Sequence, residues 1–115
     1  MAEEKIREAY ERKNHTCFTD LVKKVQEWAE EKDLLHVENA DKQFLKFIEE
    51  VFEFKTEMDR KKDYEKNKVF HDWYHSLIRE SLELEMGDIL VTLIILSKQL
   101  SIDLVECLEM AYEKI

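Results

Sequence analysis

Chain-breaking residues are almost absent from this sequence: among 115 residues there is no proline, and Gly87 is the sole glycine. A many-stranded sheet needs tight turns, and tight turns draw on these two residues. The chain is therefore expected to be all-α, a bundle of four to five helices. Hydrophobic residues make up 44% of it and charged residues 39%, as expected of a folded protein whose helices bury one face and solvate the other. The length suits a single domain, residues 1–115, small enough that self-association would bury further apolar surface.

The formal charge of −9 argues against nucleic acid or an anionic membrane as a partner, since phosphate contacts require an excess of lysine and arginine on some face. Acids outnumber bases most strongly in residues 81–115. Cys17 and Cys107 are far apart and form no CxxC pair, so they are expected to be reduced and structural. MAEEKIREAY lacks the apolar stretch of a signal peptide, and Ile89 to Leu96 is too short to span a bilayer. These readings make the cytoplasm the expected location.

Helical periodicity organises the chain. A short helix or arm is expected within residues 1–15, with Ile6, Ala9 and Tyr10 on one side. Thr19 is the expected N-cap of a helix that carries Leu21, Val22, Val25, Trp28 and Ala29 and ends near Asp33. After a connection through LLHVENAD, Asn39 or Asp41 would cap a helix bearing Phe44, Phe47, Ile48, Val51, Phe52 and Met58. Lys55 to Lys68 is almost wholly charged and reads as an exposed helical extension or a mobile loop. Helical spacing resumes with Phe70, Trp73, Tyr74, Leu77, Ile78 and Leu82 and runs to about Leu100. Asp103 and Glu106 then form a capping-box-like pair before a last helix through Leu104, Leu108, Ala111 and Ile115.

Two acidic pairs carry the chemistry. Glu50/Glu53 in EEVFE and Glu85/Asp88 in EMGD are each spaced three apart, which puts each pair on one helical face. Glu50, Glu53 and Glu57 lie roughly opposite the Phe44/Phe47/Ile48/Val51 stripe, and alone they would be an acidic face turned to solvent. Glu85, Asp88, Thr92 and Gln99 instead form a polar line along a helix that is otherwise apolar and must be buried. Gly87, within this motif, suggests close approach by a ligand or another helix, or a simple junction. Were the two helices antiparallel, the four acids would meet, and such a cluster calls for a divalent cation. Oxygen-only ligands favour Mg²⁺ or Mn²⁺ over zinc, and Mg²⁺ commonly shares its shell with phosphates.

Other motifs are weaker. HDWYH spaces His71 and His75 as in HExxH, but Asp72 replaces the glutamate, and its aromatic residues fit packing or an interface. Di-iron bundles require Glu-x-x-His pairs, and none occurs.

QFLKFIEEVFEF (Gln43 to Phe54) and ELEMGDILVTLIILSKQLSIDL (Glu83 to Leu104), with weaker similarity in VQEWAEEK and CLEMAYEKI, resemble the MazG-like family of all-α nucleoside triphosphate pyrophosphohydrolases. The resemblance implies a Mg²⁺-dependent enzyme that cleaves a nucleoside triphosphate between its α and β phosphates, and a homodimer or homotetramer. Glu50, Glu53, Glu85 and Asp88 would then be metal ligands, and Glu49 would orient or deprotonate the attacking water. Lys46 and Lys114 would meet phosphates, and Trp28 would stack on the base or pack in the core. Relatives usually continue with further basic residues beyond the position of Ile115, and full catalysis would draw on them. The alternative, from another class, is a catalytically inactive helical module that binds a nucleotide or a protein.

Overall fold

The computed structural model describes residues 17–67 and 72–115, and four α-helices pack together there with no strand among the described residues. The expected N-terminal helix with Ile6, Ala9 and Tyr10 lies outside the described residues, as do Phe70 and His71; the side chains of Trp73, Tyr74 and His75 fall outside them too.

Helix α1 spans Phe18–Glu31. Its N-cap is Cys17, not Thr19 as expected: Cys17 is extended (φ −73°, ψ 141°) and its carbonyl accepts from Leu21 N at 3.1 Å, so the helix opens two residues early. The helix ends in a Schellman turn. Asp33 takes the left-handed conformation (φ 58°), and Leu34 N donates to Ala29 O at 2.9 Å. Val22 and Ala29 are buried and Val25 half-buried, whereas Leu21 and Trp28 stay largely exposed, so α1 rests on a narrow edge of small residues.

A 3₁₀ turn, Val37–Asn39, leads directly into α2, Ala40–Asn67. Among the described residues no side-chain cap hydrogen bond from Asn39 or Asp41 is found; the 3₁₀ turn makes the entry that a cap was expected to make. The charged stretch after Lys55 is helical to Asn67, supported by ion pairs Lys55–Asp59 (2.8 Å), Arg60–Glu57 (2.8 Å) and Lys61–Glu65 (3.9 Å). Helix α3 covers Asp72–Gln99 and turns through Ser101 (φ 57°), with Ile102 N bonded to Ser97 O at 2.8 Å. Helix α4, Leu104–Lys114, opens on Asp103, whose Oδ1 accepts from Val105 N and Glu106 N, as its sequence suggests.

Helices α2 and α3 pair along their lengths and form the body, while α1 covers part of α3. Their order is antiparallel: Gln43 Nε2 donates to Thr92 O at 3.1 Å, and Glu50 and Glu53, further along α2, meet Glu85, further back on α3. Ile78, Ile94 and Ile95 anchor the core. Of the polar line along α3, Thr92 and Gln99 are buried, Glu85 is half-buried and Asp88 is exposed. The Thr92 hydroxyl donates to Ile89 O, and Gln99 Nε2 donates to Leu34 O while its Oε1 has no partner.

The orientation of α2 departs in part from the sequence expectation: Phe47 and Ile48 of the expected stripe are half-buried, but Phe44, Val51, Phe52 and Met58 are exposed. Gln43, Phe47, Glu50, Phe54 and Glu57 are the half-buried row that meets α3, while Phe44, Leu45, Val51 and Phe52 point outward, Phe52 at 66% exposure. Glu50 and Glu57 are thus turned toward α3 while Glu53 stays exposed, and part of the apolar stripe faces outward. Leu108 on α4 and Ile115 just after it are also exposed, at 66% and 99%. Both cysteines are free and exposed, so neither packs in the core. A methyl group built on Gly87 would meet nothing within 4 Å, which removes close approach by another helix of this chain as the reason for that glycine. Among the described residues no helix is long and apolar enough to cross a membrane.

Candidate metal centre

Two helices supply the site. Glu50 and Glu53 stand one turn apart on α2, and Glu85 faces them from α3, with one oxygen from each carboxylate within 4.8 Å of the others. Antiparallel pairing sets this meeting. Gln43 to Thr92 pins the register about two turns away, so the level of α2 that carries Glu50 falls opposite Glu85.

The carboxylates are poorly compensated. Glu50 and Glu85 are half-buried, and Glu50 Oε2 and Glu85 Oε2 are each sealed from solvent with no hydrogen-bond partner. Burial, joined by a carboxyl contact with Glu53 and by the charges of Glu53, Asp88 and Glu85, pushes the Glu50 pKa up to about 7. Glu85 is raised as well, first by burial and then by Glu53, Asp88 and Glu57. Buried carboxylate oxygens that lack donors are costly, and each lost partner is worth on the order of 1–3 kcal/mol. An oxygen-seeking cation would give both oxygens the partner they lack, and the all-carboxylate donor set fits Mg²⁺ or Mn²⁺.

The other expected residues are placed less tightly. Asp88 lies one turn beyond Glu85 and is exposed; it falls outside the three-carboxylate group, although its charge acts on both Glu50 and Glu85. Glu49 is exposed beside Glu50. Lys46 is exposed on α2 two turns before Glu53, hence on the same side of the helix. Trp28 is about half exposed on α1, so its ring is not locked in the core. Lys114 is exposed in the last turn of α4, and among the described residues no ion pair or hydrogen bond ties it to the acids.

One neighbour escaped the sequence reading. Arg60 Nη1 sits 2.8 Å from Glu57 Oε1, and Glu57, 13% exposed, is close enough to raise Glu85. The spacing could have revealed it, because Arg60 follows Glu53 by seven residues, two full turns.

A scan against protein-family models found no match, and searches of curated proteins and of solved structures found none either.

Proposed function

We propose that the chain is a Mg²⁺-dependent nucleoside triphosphate pyrophosphohydrolase of the MazG-like type, acting in the cytoplasm as a homodimer or homotetramer. The observation that carries this reading is the convergence of Glu50, Glu53 and Glu85 with two oxygens sealed away from any donor. A purely solvated acidic face would leave those oxygens in water. Sequence resemblance supplies the reaction class, and Mn²⁺ is a chemically equivalent ion for the same ligands.

When bound, Mg²⁺ supplies Lewis-acid polarisation of phosphoryl oxygens and a lowered pKa for water. Glu50, Glu53 and Glu85 would hold the ion, and Asp88, one turn beyond Glu85, would be the fourth ligand. Glu49, on the exposed flank of α2, orients the attacking water and takes its proton. The water oxygen bonds to the α phosphorus, the bond from that phosphorus to the oxygen bridging to the β phosphate breaks, and pyrophosphate leaves with its electron pair. Lys46 meets phosphate oxygens, Trp28 offers a ring face to the base, and Lys114 is a further cation for the phosphates. For assembly, the support is the outward stripe Phe44, Leu45, Val51 and Phe52, an apolar surface of the kind monomers seldom leave open.

The test is a panel of ribo- and deoxyribonucleoside triphosphates with Mg²⁺, assayed for pyrophosphate, with Glu53→Gln and Asp88→Asn as controls. Pyrophosphate release that both variants abolish supports the reading. Unchanged release in both removes the site, and orthophosphate as the primary product reassigns the cleaved bond.

A further inference from the structure

We propose that Arg60 is a second substrate-binding cation, one that grips the pyrophosphate end of the polyphosphate while the acids hold the metal. The inference rests on the pyrophosphohydrolase reading above.

Four observations lead to it. Among the described residues, Arg60 is the cation whose ion pair reaches the acidic group: it meets Glu57 at 2.8 Å, and Glu57 acts on Glu85. Arg60 stands seven residues after Glu53, as Lys46 stands seven before it, so all three share one side of α2. With a rise of about 1.5 Å per residue, Arg60 lies about 10 Å from Glu53 along the axis, a span that an extended guanidinium and a chain of phosphates bridge together. Finally, the Arg60 side chain is half exposed, free to exchange partners.

The Arg60 side chain is half exposed, whereas its partner Glu57 is only 13% exposed, and a guanidinium binds phosphate oxygens through two parallel, charge-assisted hydrogen bonds. Glu57, whose charge acts on Glu85, has Arg60 as its ion-pair partner. A divalent ion at the cluster would offset the acids, and Arg60 could then turn to the anion. A polyphosphate laid along α2 would have Lys46 at one end, the acids in the middle and Arg60 at the other.

The full-length chain tests this in two titrations. Binding of Mn²⁺ alone is measured for the natural protein, Glu53→Gln, Arg60→Gln and Arg60→Lys; binding of inorganic pyrophosphate is then measured at saturating Mn²⁺. Lys55→Gln is the charge-matched control, since Lys55 pairs with Asp59 on another side of α2. Arg60→Gln is expected to leave Mn²⁺ affinity unchanged or tighter, because it removes a positive charge, and to weaken pyrophosphate about tenfold or more, as loss of a charged hydrogen bond implies. Arg60→Lys should recover part of that loss and Lys55→Gln should show none. An Arg60 with only a structural role would lower both affinities together or neither. If Mn²⁺ binds and Arg60→Gln keeps full pyrophosphate affinity, this inference alone is overturned. If the natural protein binds no Mn²⁺, the metal reading beneath it fails and takes this one with it.

Discussion

Glu50 gives the candidate centre a sign that can be measured without any substrate. Its pKa rises from an ordinary value near 4.5 to about 7 because burial and three neighbouring carboxylates oppose its charge. The folded chain thus holds a proton that the unfolded chain has already released between about pH 4.5 and 7. In that window the unfolded state binds fewer protons, so stability falls as pH rises, and the full penalty is present above pH 7. At 1.36 kcal/mol per unit, the shift corresponds to at most about 3 kcal/mol at pH 8. Glu50→Gln removes the charge and nearly preserves the shape. In the metal-free protein it should therefore stabilise by up to about 3 kcal/mol at pH 8 and change little at pH 4.5, where the natural carboxyl is still protonated in the fold. Urea unfolding followed by circular dichroism, at fixed protein concentration with a chelator present, reads the difference directly. Adding millimolar Mg²⁺ at pH 8 should reverse the order, because only the natural chain gains binding energy on folding. A difference between the two proteins that stays constant from pH 4.5 to 8 would refute the argument, since it would mean that Glu50 carries no unusual proton.

Three further outcomes are expected. Gly87→Ala should stabilise the fold by about 1 kcal/mol, since the position is helical and open, and thermal melting checks it. In a Cys107→Ser background, Cys17 should react with iodoacetamide faster at pH 7 in the folded chain than in urea, because the Thr19 N–H and hydroxyl beside it draw its thiol pKa down. Phe52→Asp, on the outward stripe, should shift the sedimentation coefficient to that of a monomer while leaving the helical content unchanged.

The fold was legible wherever local rules decide it. The lack of breakers forces helices, Asp103 caps α4, and the apolar run from Ile89 marks α3 as the central element. Local rules also misplaced the start of α1, because a side-chain cap at Thr19 is only one way to satisfy a helix terminus, and Cys17 serves with its backbone. Convergence of Glu50, Glu53 and Glu85 was readable from the two acidic pairs once an antiparallel arrangement was assumed. Asp88 was less so, because a residue one turn away shares a face without sharing a point in space.

The largest departure, α2, has a physical cause that also bears on function. Hydropathy locates the face that seeks apolar cover, and on α2 that face is Phe44, Phe47, Ile48, Val51, Phe52 and Met58, of which only Phe47 and Ile48 are half-buried. Within one chain, α3 covers a different row, Gln43, Phe47, Glu50, Phe54 and Glu57, which repeats about every seven residues as a helix seam does. Phe47 and Phe54 supply apolar contact on this seam, and the acids between them would have no reason to be drawn inward for packing alone. A helix that half-buries Glu50 and Glu57 while leaving Phe44 and Phe52 exposed carries two unmet demands, one polar and one apolar. A cation between α2 and α3 would answer the first and a second copy against the outer stripe would answer the second. If both do, the two are coupled through α2, and Phe52→Asp should still bind Mn²⁺ but with reduced affinity.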